Sequence, residues 1–188
     1  MKKIALLCLA AFGALSLTGC DFIKDALSSK DKKMTYAEFL DRFRNSTQAM
    51  GYSKAIETDT TVTPEVKYEY TKLNNEEHDW RRYVQYDDEE LGISMEVPVD
   101  KKFEAYYFAM DLKVTCEEME KDIDEVFVFT SVNKGETYKI NVAEDQKQSY
   151  EEYEVIFSQY GMMQSYHAVT NFSGIDTIMK EHYVYSYR

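Results

Sequence analysis

The sequence predicts an α+β fold, with an N-terminal amphipathic helix packed on a large curved, mainly antiparallel β-sheet. Three observations predict it. Apolar residues recur at helical spacing over residues 36–50. From residue 55 onward the apolar period is two, the spacing of half-buried strands. The 188 residues include 16 Tyr and 10 Phe but only 7 Gly and 2 Pro, and aromatic side chains favour pleated, half-buried surfaces.

The helix begins with a capping box. In Thr35-Tyr36-Ala37-Glu38 the hydroxyl and the carboxylate satisfy each other's free backbone donors. Tyr36, Phe39, Leu40, Phe43, Thr47 and Met50 follow at helical spacing, and Gly51 stands where a C-terminal cap is wanted. Such an apolar stripe needs a partner surface.

Strand patterning supplies one. Val66, Tyr68 and Tyr70 alternate with polar residues; Trp80, Arg82, Val84 and Tyr86 share a face; Ile93, Met95, Val97 and Val99 follow, with Pro98 marking an edge strand. Residues 87–92 read as the turn between the last two. Further strands are expected over 126–132, 138–142, 153–157, 163–169 and 183–187. Asn133-Lys134-Gly135 and Ser158-Gln159-Tyr160-Gly161 read as hairpin turns, so successive strands pair antiparallel. Residues 101–114 are aromatic on both sides and fit helix and strand equally. A second capping-box pattern at Thr115 and Glu118 predicts a short helix over 115–125. No repeat or second linker divides the chain, so residues 34–188 read as one domain.

The N-terminus has a different character. Lys2 and Lys3 precede an uncharged apolar run over 4–17, too short to span a bilayer comfortably, which closes on Leu17-Thr18-Gly19-Cys20. This ending resembles the lipobox of bacterial lipoproteins. The resemblance implies a signal peptide over residues 1–19, cleavage between Gly19 and Cys20, and a diacylglycerol on the Cys20 thiol. It places the protein at the cell membrane, lipid-anchored and facing outside the cytoplasm. Two or three acyl chains anchor stably where one does not.

Residues 21–33, with four Lys, three Asp and a Ser pair, read as a flexible tether. Thirteen residues hold a domain about 20 Å from its anchor on average. Charge divides along these lines. The whole chain is −12; residues 1–19 carry two Lys and no acid, the tether is +1, and residues 34–188 carry 16 basic and 31 acidic side chains, a net −15. An acidic body of this kind is the wrong footprint for a phosphate backbone, so nucleic acid is excluded as a partner. Among three cysteines, Cys8 leaves with the signal and Cys20 is the lipidation site, so Cys116 is expected as a buried apolar residue without a disulfide.

Catalytic vocabulary is sparse. His78, His167 and His182 form no zinc or protease pattern, though His167 and His182 can approach across adjacent strands. The acidic runs 87–90 and 117–125 lack calcium-loop spacing and read as solvated surface. No cofactor, metal or catalytic residue is expected, and the protein is read as a non-enzyme. The tyrosines serve sheet packing, with an aromatic binding face as the functional alternative. The element order loosely resembles the LolA/LppX-type envelope lipoproteins, which implies a half-barrel-like sheet and a cavity for a lipid or other hydrophobic ligand. An interaction module for an envelope protein, with no cavity, is the alternative.

Overall fold

The structure, a computed structural model, describes residues 31–73, 79–85, 94–100, 102–147, 150–171 and 178–188. Cys20, Gly19, His78 and the 86–93 connection, including the acidic run 87–90, lie outside the described residues. The fold is α+β: an open antiparallel sheet with a few helices. No helix among the described residues is long and apolar enough to cross a membrane.

The chain runs β1 (Lys32–Met34), α1 (Tyr36–Phe43), β2 (Lys54–Asp59), β3 (Val66–Lys72), β4 (Asp79–Gln85), β5 (Ser94–Asp100) and α2 (Ala105–Glu118). It continues with α3 (Ile123–Val126), β6 (Phe127–Val132), β7 (Thr137–Val142), β8 (Tyr150–Ser158), β9 (Met163–Asn171) and β10 (Ile178–Tyr187). Among the described residues ten strands form one sheet in the order β1-β6-β7-β8-β9-β10-β2-β3-β4-β5. Two meanders, β2–β5 and β6–β9, are thus joined by the C-terminal strand lying between them. Pro98 sits in β5, at one end of this order, the edge position where proline is tolerated in a sheet. At the other end Lys32 and Lys33 pair with Ser131 and Thr130 of β6 respectively, so the sheet takes up the last two residues of the expected tether.

Helix α1 starts as its capping box requires: the Glu38 N–H donates to Thr35 Oγ1 at 3.2 Å and the Thr35 N–H to Glu38 Oε2 at 2.9 Å. It stops at Phe43, well short of residue 50, and a 3-10 turn over Gln48–Gly51 replaces the expected continuation. The reason lies in Asn45-Ser46-Thr47, whose side chains compete with helical hydrogen bonding. The Ser46 hydroxyl donates to the Tyr160 carbonyl, and Arg42 Nη2 donates to the Gln159 carbonyl at 2.8 Å. The β8–β9 turn therefore captures the end of the helix.

Residues 105–118 are helical. The positions α2 buries completely are its smallest, Ala105, Ala109 and Cys116, while Phe108 and Leu112 pack at the margin. The Thr115–Glu118 pattern is not a helix start: it lies in the last turn, with Thr115 Oγ1 bonded back to the Asp111 carbonyl at 3.1 Å. A Schellman ending follows, in which the Lys121 N–H reaches the Cys116 carbonyl at 2.9 Å and Glu120 takes a φ of 56°. Between this ending and β6 only the four residues of α3 are helical.

Two apolar clusters share the inner face. Phe39 and Phe43 of α1 pack with Phe129, Tyr138 and Phe157, their ring centroids 4.9–6.3 Å apart. Burying one such Phe contributes about 1.5–3 kcal/mol. The second cluster holds Ala55, Tyr70, Trp80, Phe103 and Met162 under β2–β4. The link is the segment before α2: the Met163 N–H bonds the Phe103 carbonyl and the Ala105 N–H the Gly161 carbonyl, each at 2.8 Å.

Candidate functional site

One inner-face row crosses seven strands in register: Phe129, Ile140, Val155, Tyr166, Tyr183, Asp59, Val66. Its chemistry changes on the way. The β6–β8 half is apolar and covered by α1 and α2; the β9–β10–β2 stretch is tyrosine and acid. At this change a cavity of about 300 Å³ opens, bounded by Phe108 and Met163 on the apolar side and by Glu57, Lys102 and Glu181 on the other. Tyr166, Tyr183 and Tyr185 form its sheet wall.

Glu57 is the unusual member. Strand alternation in β2 puts it on the same face as Ala55, and it is 3% exposed. An unpaired carboxylate buried this far costs several kcal/mol, so its partners decide whether the fold tolerates it. They are complete. Tyr70 Oη donates to Oε1 at 2.7 Å, Lys102 Nζ to Oε2 at 2.8 Å, and the Tyr185 hydroxyl also bonds the carboxylate. Lys102 Nζ makes a further contact to Tyr70 Oη at 2.9 Å and lies 4.8 Å from the Tyr70 ring centroid and 5.1 Å from that of Phe103. A carboxylate and an ammonium, the latter set against two rings, thus close one end of the cavity.

Glu181, on β10, meets less. Its Oε2 is 3.5 Å from the Tyr166 hydroxyl, a weak contact, and no cation pairs with it among the described residues. The tyrosines register the resulting field. Burial first, then the charges of Glu181, Asp59 and Glu57, push the Tyr183 hydroxyl up to about 12. Burial raises Tyr185 far above the ordinary range, reinforced by the Glu57 charge and its hydrogen bond, and raises Tyr187 likewise. The Tyr187 hydroxyl donates to the Met163 carbonyl. These phenols stay protonated and act as donors.

Strand pairing also brings His167 and His182 together. They are direct register partners on the outer face, with ring centroids 5.2 Å apart. His167 Nε2 lies 2.5 Å from Glu152, and His182 Nδ1 lies 2.8 Å from Thr60 Oγ1. A second cavity of about 390 Å³ flanks His167 between Glu144, Lys147 and Glu154. No group of three or more His, Cys, Asp or Glu able to hold a metal occurs among the described residues. Cys116 is buried and unbridged, its thiol pushed up mainly by desolvation. Asp124, in the acidic run, accepts the Tyr36 N–H at 2.8 Å, so this carboxylate caps α1 in space.

Sequence patterning located the tyrosines but not the Glu57–Lys102 pair. The available signal was alternation in residues 54–59, which turns Glu57 inward with Ala55. Its partner lies in the segment whose period is ambiguous.

Fold and site define a class: an open antiparallel α+β protein with a buried carboxylate, paired to a half-buried lysine, at a tyrosine-walled cavity. No family model matches the chain, and no curated protein or solved structure matches it significantly.

Proposed function

We propose that this protein is a lipid-anchored, non-catalytic lipoprotein of the bacterial cell envelope that holds a small ligand in its inner-face cavity. On this reading residues 1–19 are removed, Cys20 carries the acyl chains, and the domain stands outside the cytoplasm. The sheet curves around α1 and α2 in a half-barrel-like manner.

The observation that carries the ligand reading is the buried Glu57 carboxylate, held by Lys102 at the wall of a cavity. A charge placed where water is scarce is costly to keep, and such groups concentrate at binding sites. The cavity suits a compact amphiphile better than a long acyl chain, because the apolar half of the inner face is filled by Phe39, Phe43, Phe129 and Phe157. The alternative, a protein-interaction module, draws on Met110 and Val114, exposed one turn apart on α2.

The test uses the full chain, expressed with its own leader in a bacterial host and released from membranes in detergent. The N-terminal peptide of the product carries a diacylglycerol mass on Cys20, absent in Cys20→Ala. An unmodified Cys20 would sink the anchor. Native mass spectrometry of the same sample reads the ligand: a co-purifying mass lost in a cavity variant supports it, and its absence counts against it.

A further inference from the structure

We infer that the cavity binds a small organic cation, an alkylammonium or quaternary ammonium group, held between the rings of Tyr166, Tyr183 and Tyr185 and the Glu181 carboxylate. The inference rests on the ligand reading above and names the chemistry of that ligand.

Charge comes first. Of the three charged side chains that line the cavity among the described residues, Glu57 and Lys102 neutralise each other at 2.8 Å. Glu181 remains, half-buried, with no cation on it among the described residues. Asp59 stands beside Tyr183 in register on β2 and adds a second negative charge at the same end; its Oδ1 is engaged by Thr61 N–H and hydroxyl at 2.8 and 2.6 Å. A ligand anion entering here meets repulsion, and a neutral apolar ligand strips water from Glu181 without replacing it. A cation does neither.

Ring geometry agrees. Tyr166 and Tyr183 are cross-strand partners with centroids 6.2 Å apart and planes inclined by 35°. Their faces carry negative potential and attract a cation placed within about 6 Å of the centroid. The protein already uses this chemistry once: at the closed end Lys102 sits against one carboxylate and two rings. The Glu181 end repeats the carboxylate and the rings, with no ammonium on them among the described residues. A volume of about 300 Å³ suits a compact head group.

The test titrates the detergent-released full chain with three probes of one shape: choline, its uncharged carbon isostere neohexyl alcohol, and the tert-butylacetate anion. Affinity is read by calorimetry, and thermal melts verify that each variant is folded. Choline is expected to bind about tenfold more tightly than neohexyl alcohol, more weakly as salt rises, and about fivefold to tenfold more weakly to Glu181→Gln. Tyr183→Leu weakens choline as well. Equal binding of the alcohol, preference for the anion, or indifference to Glu181→Gln overturns the cation assignment while the cavity remains a ligand site. Failure of all three probes to bind overturns the cation assignment and counts against the ligand reading itself.

Discussion

Lys102 Nζ donates to Glu57 Oε2 at 2.8 Å across 45 residues of chain, and the two side chains are unequally buried, at 35% and 5% exposure. The carboxylate therefore depends on the ammonium more than the reverse. Lys102 can reach water once unpaired; Glu57 cannot.

That inequality predicts an asymmetric mutant cycle. Lys102→Met leaves a buried carboxylate without its counter-ion and should cost about 2–4 kcal/mol, read by urea denaturation. Glu57→Gln alone should cost less, because Gln keeps an acceptor for Tyr70 and Lys102 can turn outward. The double variant should be more stable than Lys102→Met alone. Additive losses would show that the pair is not coupled.

Alkaline pH should unfold the domain by a route through the cavity. Tyr183 titrates near 10 when unfolded and at about 12 when folded, so the folded state binds this proton more tightly. Its stabilisation is complete below pH 10 and is lost as pH rises from 10 to about 12. Tyr185 and Tyr187, also raised, act in the same direction. A set of tyrosines should ionise only with loss of tertiary structure, followed by tyrosinate absorbance beside circular dichroism. Glu181→Gln removes a raising charge and should move the Tyr183 step downward. A single step at the ordinary tyrosine value in the folded protein would contradict the placement of these phenols.

Two left-handed backbone positions call for opposite substitutions. Gly161 has a φ of 81°, and a Cβ there would meet Phe43 Cδ1 at 2.7 Å. Gly161→Ala should destabilise by about 2–3 kcal/mol, since it adds backbone strain to a clash with a fully packed ring. Glu120 occupies the C′ position of the Schellman ending of α2 with a φ of 56°. Glu120→Gly should stabilise by about 0.5–1 kcal/mol, because glycine adopts that conformation without a Cβ penalty. Thermal melts of the two variants should shift in opposite directions.

How far the fold was legible follows from the range of each interaction. The cap of α1 was readable because Thr35 and Glu38 bond each other within one turn. Its end was not, because the groups that capture Ser46 and Arg42 are carbonyls of residues 159 and 160. Strand faces were readable wherever alternation is strict, as at Tyr138, Ile140 and Val142. Helix α2 escaped because it buries alanines and a cysteine rather than its aromatic residues.

By itself the sequence determined the alternation that makes this an antiparallel α+β protein, the acidic body, the turns at 133–135 and 158–161 and the lipobox resemblance ending at Cys20, all properties of neighbouring residues. Tertiary structure alone decided that β10 joins the two meanders and that Glu57 meets Lys102. It also decided that Tyr166, Tyr183 and Glu181 share a cavity wall. Those contacts depend on strand order, which local periodicity does not encode: a residue's alternation tells which way it faces, and only the assembled sheet supplies what it faces.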